Sequence, residues 1–392
     1  MPACFLVVNR YCARMQEYDR IRPFDDHEVP AVVERVVKNP EFGKAASKLV
    51  MPEVLQGTHL GDWATTLLLR LKTRHLRTVQ GCQLFIADYF ERLVGDTIEE
   101  LTVSGLEQLD TADQYLFVSN HRDIAMDSGL LNFLIHQEGH ETCRMAVGDN
   151  LLTNQLAADL MRLNKSFVVE RNVSGARATM NVLNRTSSYI RHSLEEGVSI
   201  WIAQAQGRAK DGWDRTDPAL LKMLALAYKD HENSMAAMLE QITIVAVSIS
   251  YELDPCALRK AHELYVLAQE GRYDKSDQED LDSIIIGLIG QKGRVHLHFS
   301  EPLREQVGDP DELATILDTE ILRGMRIFPT FVAAARALGD DLQDVAEVPE
   351  LSSVTGCFKA QLDACPQAER EHLLVQYANV LRNRAALGVS GQ

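Results

Sequence analysis

From about residue 98 to residue 303, short apolar runs alternate with longer stretches of helical period. "YLFVSN" (115–120) precedes the helix-period "MDSGLLNFLIHQEG", and "RMAVGDN" (144–150) precedes "QLAADLMRLN". "SFVVER" (166–171) leads into a long helix through "ATMNVLNRTSSYIRHSLEEG". "VSIWIAQ" (198–204), "ITIVAVSISYE" (242–252) and "GRVHLHFSEPL" (293–303) complete the strand candidates. Strands that alternate with helices build an α/β fold, here a mixed, largely parallel sheet flanked by helices. Residues 29–94 carry apolar positions three and four apart and read as helices. The expected organisation is a helical N-terminal region over 1–95, an α/β domain over 96–308 and a helical C-terminal extension over 309–392. A charged helical insertion falls at about 257–283, and "LGVSGQ" reads as a frayed end.

Composition narrows the function. The 392 residues are 46% hydrophobic and 24% charged, the balance of a folded globular chain. A net charge of −16 argues against nucleic acid as a partner, because a phosphate backbone needs a basic surface. An anionic ligand must then be met by local Arg and Lys. The seven Cys, at 4, 12, 82, 143, 256, 357 and 365, show no CxxC spacing and read as reduced, mostly buried thiols. The N-terminal apolar run is soon broken by charge and has no secretory pattern. No window approaches the ~20 apolar residues that span a bilayer. The expected location is cytoplasmic, with peripheral contact at the inner face of the membrane as an option. The exposed-looking basic cluster Arg70, Lys72, Arg74, His75 and Arg77 reads either as a solvated helix face or as a patch for lipid headgroups.

In an open α/β sheet, ligands bind beyond the carboxyl ends of the strands. There the candidate strands deliver Asn120, His121, Asp123 and Asp127, then Glu170 and Arg171. Next come Gln204, Gln206, Gly207, Arg208 and Lys210, and finally Ser250, Tyr251 and Glu252. A His beside an Asp can act as a general base, although the same pair often serves as a cap or structural bond, and Asp127 with Ser128 can simply start a helix. Arg171 and Arg208 suit a phosphate by their forked geometry, although isolated Arg residues more often form surface ion pairs. No G-x-S-x-G elbow and no HExxH are present, so neither a serine acyl-enzyme nor a metal site is expected.

The blocks "NHRDIAMD", "FVVER", "QAQGRAKDG" and "VAVSISYE", in that order, resemble the four blocks of the glycerolipid acyltransferases. The resemblance covers roughly residues 110–305. "ISYE" and "GRVHLHFSEPL" look most like its glycerol-3-phosphate acyltransferase branch. It implies a glycerolphosphate acyltransferase-like fold and acyl transfer from acyl-CoA or acyl-carrier protein to a glycerol-3-phosphate or 1-acylglycerol-3-phosphate hydroxyl, without a cofactor. It further implies His121 as base, Asp127 as its partner, and Arg171, Gln206, Gly207, Arg208 and Lys210 as substrate-binding positions.

Three departures stand out. Five residues intervene between His121 and Asp127 where the family usually has four, which leaves Asp123 as a second candidate partner. Gln206 stands where the family typically has Glu, and Ala246 where it often has Pro. The competing readings are a non-catalytic lipid- or acyl-carrier-binding protein on the same scaffold, and a thioester hydrolase that uses water as acceptor.

Overall fold

The computed structural model describes residues 17–50, 58–152, 154–171, 173–276, 279–304, 307–341, 354 and 356–389. The N-terminal apolar run with Cys4 and Cys12, and the last three residues, lie outside them. In chain order the elements begin with α1 (Val29–Lys38), α2 (Pro40–Val50), α3 (His59–Thr73) and α4 (Val79–Thr97). There follow β1 (Glu100–Ser104), β2 (Leu116–Ser119), α5 (Met126–Gln137), β3 (Arg144–Gly148), α6 (Gln155–Leu163), β4 (Ser166–Val169) and α7 (Ala176–Glu195). Next are β5 (Ile200–Ala203), α8 (Pro218–Ala225), α9 (Ser234–Gln241), β6 (Ile244–Tyr251), α10 (Ala257–Glu270), α11 (Glu279–Ile289) and β7 (Arg294–Phe299). The chain closes with α12 (Pro310–Gly324), α13 (Pro329–Ala337), α14 (Gly356–Ala364) and α15 (Arg370–Ala386).

The chain divides into two compact units, one of residues 1–91 and 144–185, the other of residues 92–143 and 186–392. In the smaller unit, α1 presents Val29, Val32 and Val36 to Leu76, Val79, Cys82 and Leu163. That is the one-sided stripe of an amphipathic helix. The Arg35 guanidinium donates to both oxygens of the buried Asp159 (2.6 and 2.8 Å) and ties α1 to α6. β3 and β4 pair in parallel, from Met145 opposite Ser166 to Gly148 opposite Val169.

Among its described residues the larger unit carries five strands in the order β1-β7-β6-β2-β5. β1 runs parallel to β7, and β2 runs parallel to both β6 and β5. Among the described residues of this unit, only β6 and β7 pair antiparallel. All eight residues of β6 and all four of β2 are buried. Covering both faces of a strand demands the continuous apolar runs that these segments have. β7 alternates, with Val295, Leu297 and Phe299 buried and the residues between them half-buried. The six strands expected from the sequence all form. β1 escapes a search for apolar runs because Glu100, Thr102 and Ser104 are polar, and with one neighbour it is an edge strand. The expected helical insertion over 257–283 is two helices: Gly271, at φ +71°, ends α10 in the left-handed region, and α11 runs on to Ile289.

Parallel pairing of β2 with β5 and β6 brings their carboxyl ends to one edge. β6 is the longest, reaching four residues past Val247, the partner of Ser119. Among the helices of the unit, Asp217 and Asp309 each cap a Pro-led helix, accepting from the N–H of Ala219 (2.8 Å) and Asp311 (2.7 Å). α15 lies against the segment that follows β5: Asn379 Nδ2 donates to Asp211 O (2.8 Å) and Asn383 Nδ2 to Asp214 O (2.7 Å). Between them Gly212 sits at φ +77°, and a Cβ there would lie 2.0 Å from the Gln376 carbonyl oxygen. Gly271 has the same backbone need but open space around it. Gly271→Ala should cost about 1–2 kcal/mol from backbone strain alone. Gly212→Ala should cost clearly more, at least about 3 kcal/mol, because strain and collision add. Urea unfolding of the two variants checks this; equal losses would contradict the close packing of α15 on Gly212.

Candidate active site

Asn120 extends the β2–β6 pairing with its side chain. Its Nδ2 donates to Ile249 O (3.0 Å) and its Oδ1 accepts from Ile249 N (2.8 Å), so one buried amide replaces a rung of the ladder. The backbone is thereby free to turn outward at His121. The imidazole is 16% exposed and its ring meets the edge of Trp201, with centroids 5.8 Å apart. Trp201 is fixed in turn by a bond from Nε1 to Ser119 Oγ (3.0 Å).

The loop that follows closes on Asp127, in the first turn of α5. Asp127 Oδ2 accepts from His121 Nδ1 (2.7 Å), Arg122 N (2.6 Å) and Asp123 N (3.0 Å). Its other oxygen, Oδ1, accepts from the Tyr251 hydroxyl (2.8 Å). Five intervening residues thus still return the carboxylate to the imidazole. Asp123, the other carboxylate of the loop, instead caps α5: its Oδ1 accepts from Ala125 N (3.0 Å) and Met126 N (2.9 Å). Gly287 of α11 leaves the space that the Asp123 side chain fills, since a Cβ there would sit 2.0 Å from Asp123 Oδ2.

These bonds separate the two acids electrostatically. Burial pushes Asp127 up, but the bonds from His121 and the two backbone N–H groups outweigh it and hold the carboxyl below its ordinary value of 3.8. Burial and the nearby Asp127 charge push Asp123 up instead. An ionised Asp127 accepts at Oδ2, so His121 carries its proton on Nδ1. His121 Nε2 makes no hydrogen bond among the described residues. The arrangement is a base with its lone pair turned away from its carboxylate.

The segment after β5 is bound to the same loop. Ala209 N donates to His121 O (3.0 Å), while the Arg122 guanidinium donates to Ala209 O (3.1 Å) and Gly212 O (3.3 Å) and pairs with Asp214 (2.5 Å). Gln206 and Gly207 are exposed at its tip, Gly207 at φ +82°. Arg208 is half-buried and forms no hydrogen bond or ion pair among the described residues. Lys210 is paired with Glu263 of α10. Arg171 belongs to the smaller unit, where its backbone N–H donates to Asp149 Oδ2 (3.0 Å) and Glu170 pairs with Arg185. Of the residues at the end of β6, Ser250 accepts from Arg326 N (3.1 Å) and Glu252 holds Arg294 through both oxygens (2.8 and 2.7 Å). Both therefore serve the fold. Trp201 carries no sequence signal beyond its place in an apolar strand.

The loop holding His121 and the segment holding Arg208 fall within one family match. Residues 100–250 match the Acyltransferase family model. No curated protein matches the chain. Among solved structures, the 1-acyl-sn-glycerophosphate (LPA) acyltransferase of Thermotoga maritima aligns at 15% identity, over 73% of this chain and 94% of that one, with a TM-score of 0.37. Cys82, Cys143, Cys256 and Cys365 are free and buried, Cys357 is free and exposed, and no group of three or more His, Cys, Asp or Glu is placed to hold a metal among the described residues.

Asp214 adds a pH dependence. Burial raises it, Arg122 opposes, and Asp211, Asp318 and Asp127 add to the rise, leaving it at about 6. A carboxyl raised in the folded state favours folding most when protonated. Its contribution is complete below about pH 4 and is lost as the pH climbs through about 6. The stability of the parent protein relative to Asp214→Asn should therefore fall between pH 4 and pH 7. Thermal midpoints at several pH values check this; a constant difference would contradict the raised value.

Proposed function

We propose that this chain is an O-acyltransferase that moves a fatty acyl group from a thioester, acyl-CoA or acyl-carrier protein, to a hydroxyl of glycerol-3-phosphate or 1-acylglycerol-3-phosphate. The observation that carries the proposal is His121, bonded through Nδ1 to a buried, ionised Asp127 and open at Nε2, within the acyltransferase match. In the proposed reaction Nε2 takes the acceptor hydroxyl proton as that oxygen attacks the thioester carbonyl. Asp127 stabilises the imidazolium that forms. The C–S bond then breaks, and the departing thiolate recovers the proton from Nε2. The new ester and the free thiol account for every atom, with neither a protein nucleophile nor a cofactor. Arg208, unpaired on the segment bound to the His121 loop, is the cation offered to the acceptor phosphate, with Gln206 and Gly207 beside it. By resemblance alone, Lys210 is a further substrate-binding residue of the larger unit, and Arg171 a substrate-binding residue of the smaller one. The block "ISYE" supports glycerol-3-phosphate as the preferred acceptor.

Acyl transfer by the purified protein tests this, with labelled glycerol-3-phosphate and 1-acylglycerol-3-phosphate each offered to both donor types. His121→Ala should lower kcat by roughly 10²–10⁴, the usual worth of a general base, and Asp127→Asn by a comparable factor. Product formation unaffected by His121→Ala would overturn the mechanism. Thioester binding without turnover would instead favour a binding protein, and thioester loss indifferent to either acceptor would favour a hydrolase.

A contact with membrane is part of the proposal, supported by an inversion in α3. This helix buries Gly61, Thr65, Leu69 and Thr73 but exposes Leu60 and Trp63 (63% each), Leu67 and Leu71. The buried hydroxyls are satisfied inside the helix, Thr65 by Gly61 O (2.7 Å) and Thr73 by Leu69 O (2.8 Å), so small polar residues face inward without penalty. A stripe of large apolar side chains in water is costly unless something covers it. Arg70, Lys72, Arg74 and Arg77 are exposed on the same helix and just beyond it, and none forms an ion pair among the described residues. An apolar stripe edged by cations on a chain of net charge −16 suits the interface of an anionic bilayer. No helix among the described residues is long and apolar enough to cross a membrane. Flotation with anionic vesicles should lose most of the bound protein when Leu60, Trp63, Leu67 and Leu71 become Ser, and should weaken when the four cations become Gln. Unchanged binding in both would remove α3 as the contact.

A further inference from the structure

We infer that Tyr251 is a positioning residue for the transfer, fixing the Asp127 carboxylate from the sheet; this rests on the acyl-transfer reading above. Three of the four donors to Asp127 converge on Oδ2, and all three belong to the 121–127 loop. Among the described residues the Tyr251 hydroxyl is the only donor to Oδ1. Without it, one oxygen of a fully buried carboxylate has no partner, and the plane of the carboxylate is held at one side only. The phenol suits the task. Burial and the Asp127 charge raise it well above 10, so it remains a donor through the working pH range.

The placement is rigid. Tyr251 is the last residue of β6, and the strand is pinned on both sides of it. Two residues earlier, Ile249 exchanges two hydrogen bonds with the Asn120 side chain, next to His121 itself. One residue later, Glu252 grips Arg294 through both oxygens and accepts from Arg294 N (3.0 Å). The imidazole and the phenol thus reach Asp127 from adjacent parallel strands in fixed register. The loop between His121 and Asp127 has five residues in which to vary; the anchor through Oδ1 does not depend on that loop.

The test is Tyr251→Phe in the full chain. Loss of a hydrogen bond to a charged group should lower kcat by about ten- to a hundredfold, with the acceptor KM within about twofold. With its charge no longer shared, Asp127 stabilises the imidazolium more, so the acid limb of the kcat profile should move to higher pH. Replacement of residue 251 by 3-fluorotyrosine, a stronger donor of nearly the same size, should move that limb to lower pH and provides the answer if the Phe variant does not fold. Unchanged kcat and unchanged limbs in these variants, or an effect on KM alone, would overturn the inference. If the parent protein transfers no acyl group, the acyl-transfer reading has failed, and the ring signals of His121 in NMR titrations still decide the positioning. They should shift to higher pH in Tyr251→Phe, and an unchanged titration would overturn it.

Discussion

Everything at this site depends on keeping one carboxylate, Asp127, ionised where no water reaches it. A buried charge survives only when its lone pairs are occupied by well-placed donors. Here two backbone N–H groups, an imidazole and a phenol supply them. Each donor has a structural reason to be where it is. The backbone donors exist because the loop after β2 curls over the start of α5, with Asp123 capping the turn. The imidazole arrives at the end of β2, and the phenol at the end of the longer β6. The parallel register of the two strands is therefore part of the chemistry, because a slip by one residue would turn Tyr251 to the other face.

A second set of contacts extends this order outward. Arg122 donates its backbone N–H to Asp127 and its guanidinium to the carbonyls of Ala209 and Gly212 and to Asp214. The segment that offers Arg208 is thus built onto the His121 loop. Its far side is held by α15 through Asn379 and Asn383. The C-terminal helix α15 thus serves the site indirectly, by fixing the backbone of the segment that carries Arg208.

Much of this was legible in the residues, for physical reasons. Strands buried on both faces, such as β2 and β6, write themselves as apolar runs, and the alternation of β7 marks it as well; β1, a half-polar edge strand, shows neither. The polar residues that end β2 and β5 stood out because they interrupt those runs. The choice of Asp127 over Asp123 came from the resemblance and not from spacing, since both follow His121 closely and only the path of the loop decides which one returns to it. Tyr251 was visible only as a strand-end residue, because its partner lies 124 positions away. The inward face of α3 was illegible too. Its period fixes that one face is apolar, but not that the apolar face turns outward.

The most direct measurement is ¹⁵N NMR of the His121 ring in the protein labelled at histidine, at a pH where the ring is neutral. The account predicts a proton on Nδ1 and none on Nε2, with the Nδ1 proton shifted far downfield and that shift lost in Asp127→Asn. A ring protonated on Nε2 would contradict it, because the lone pair that is to receive the acceptor's proton would then be turned toward Asp127.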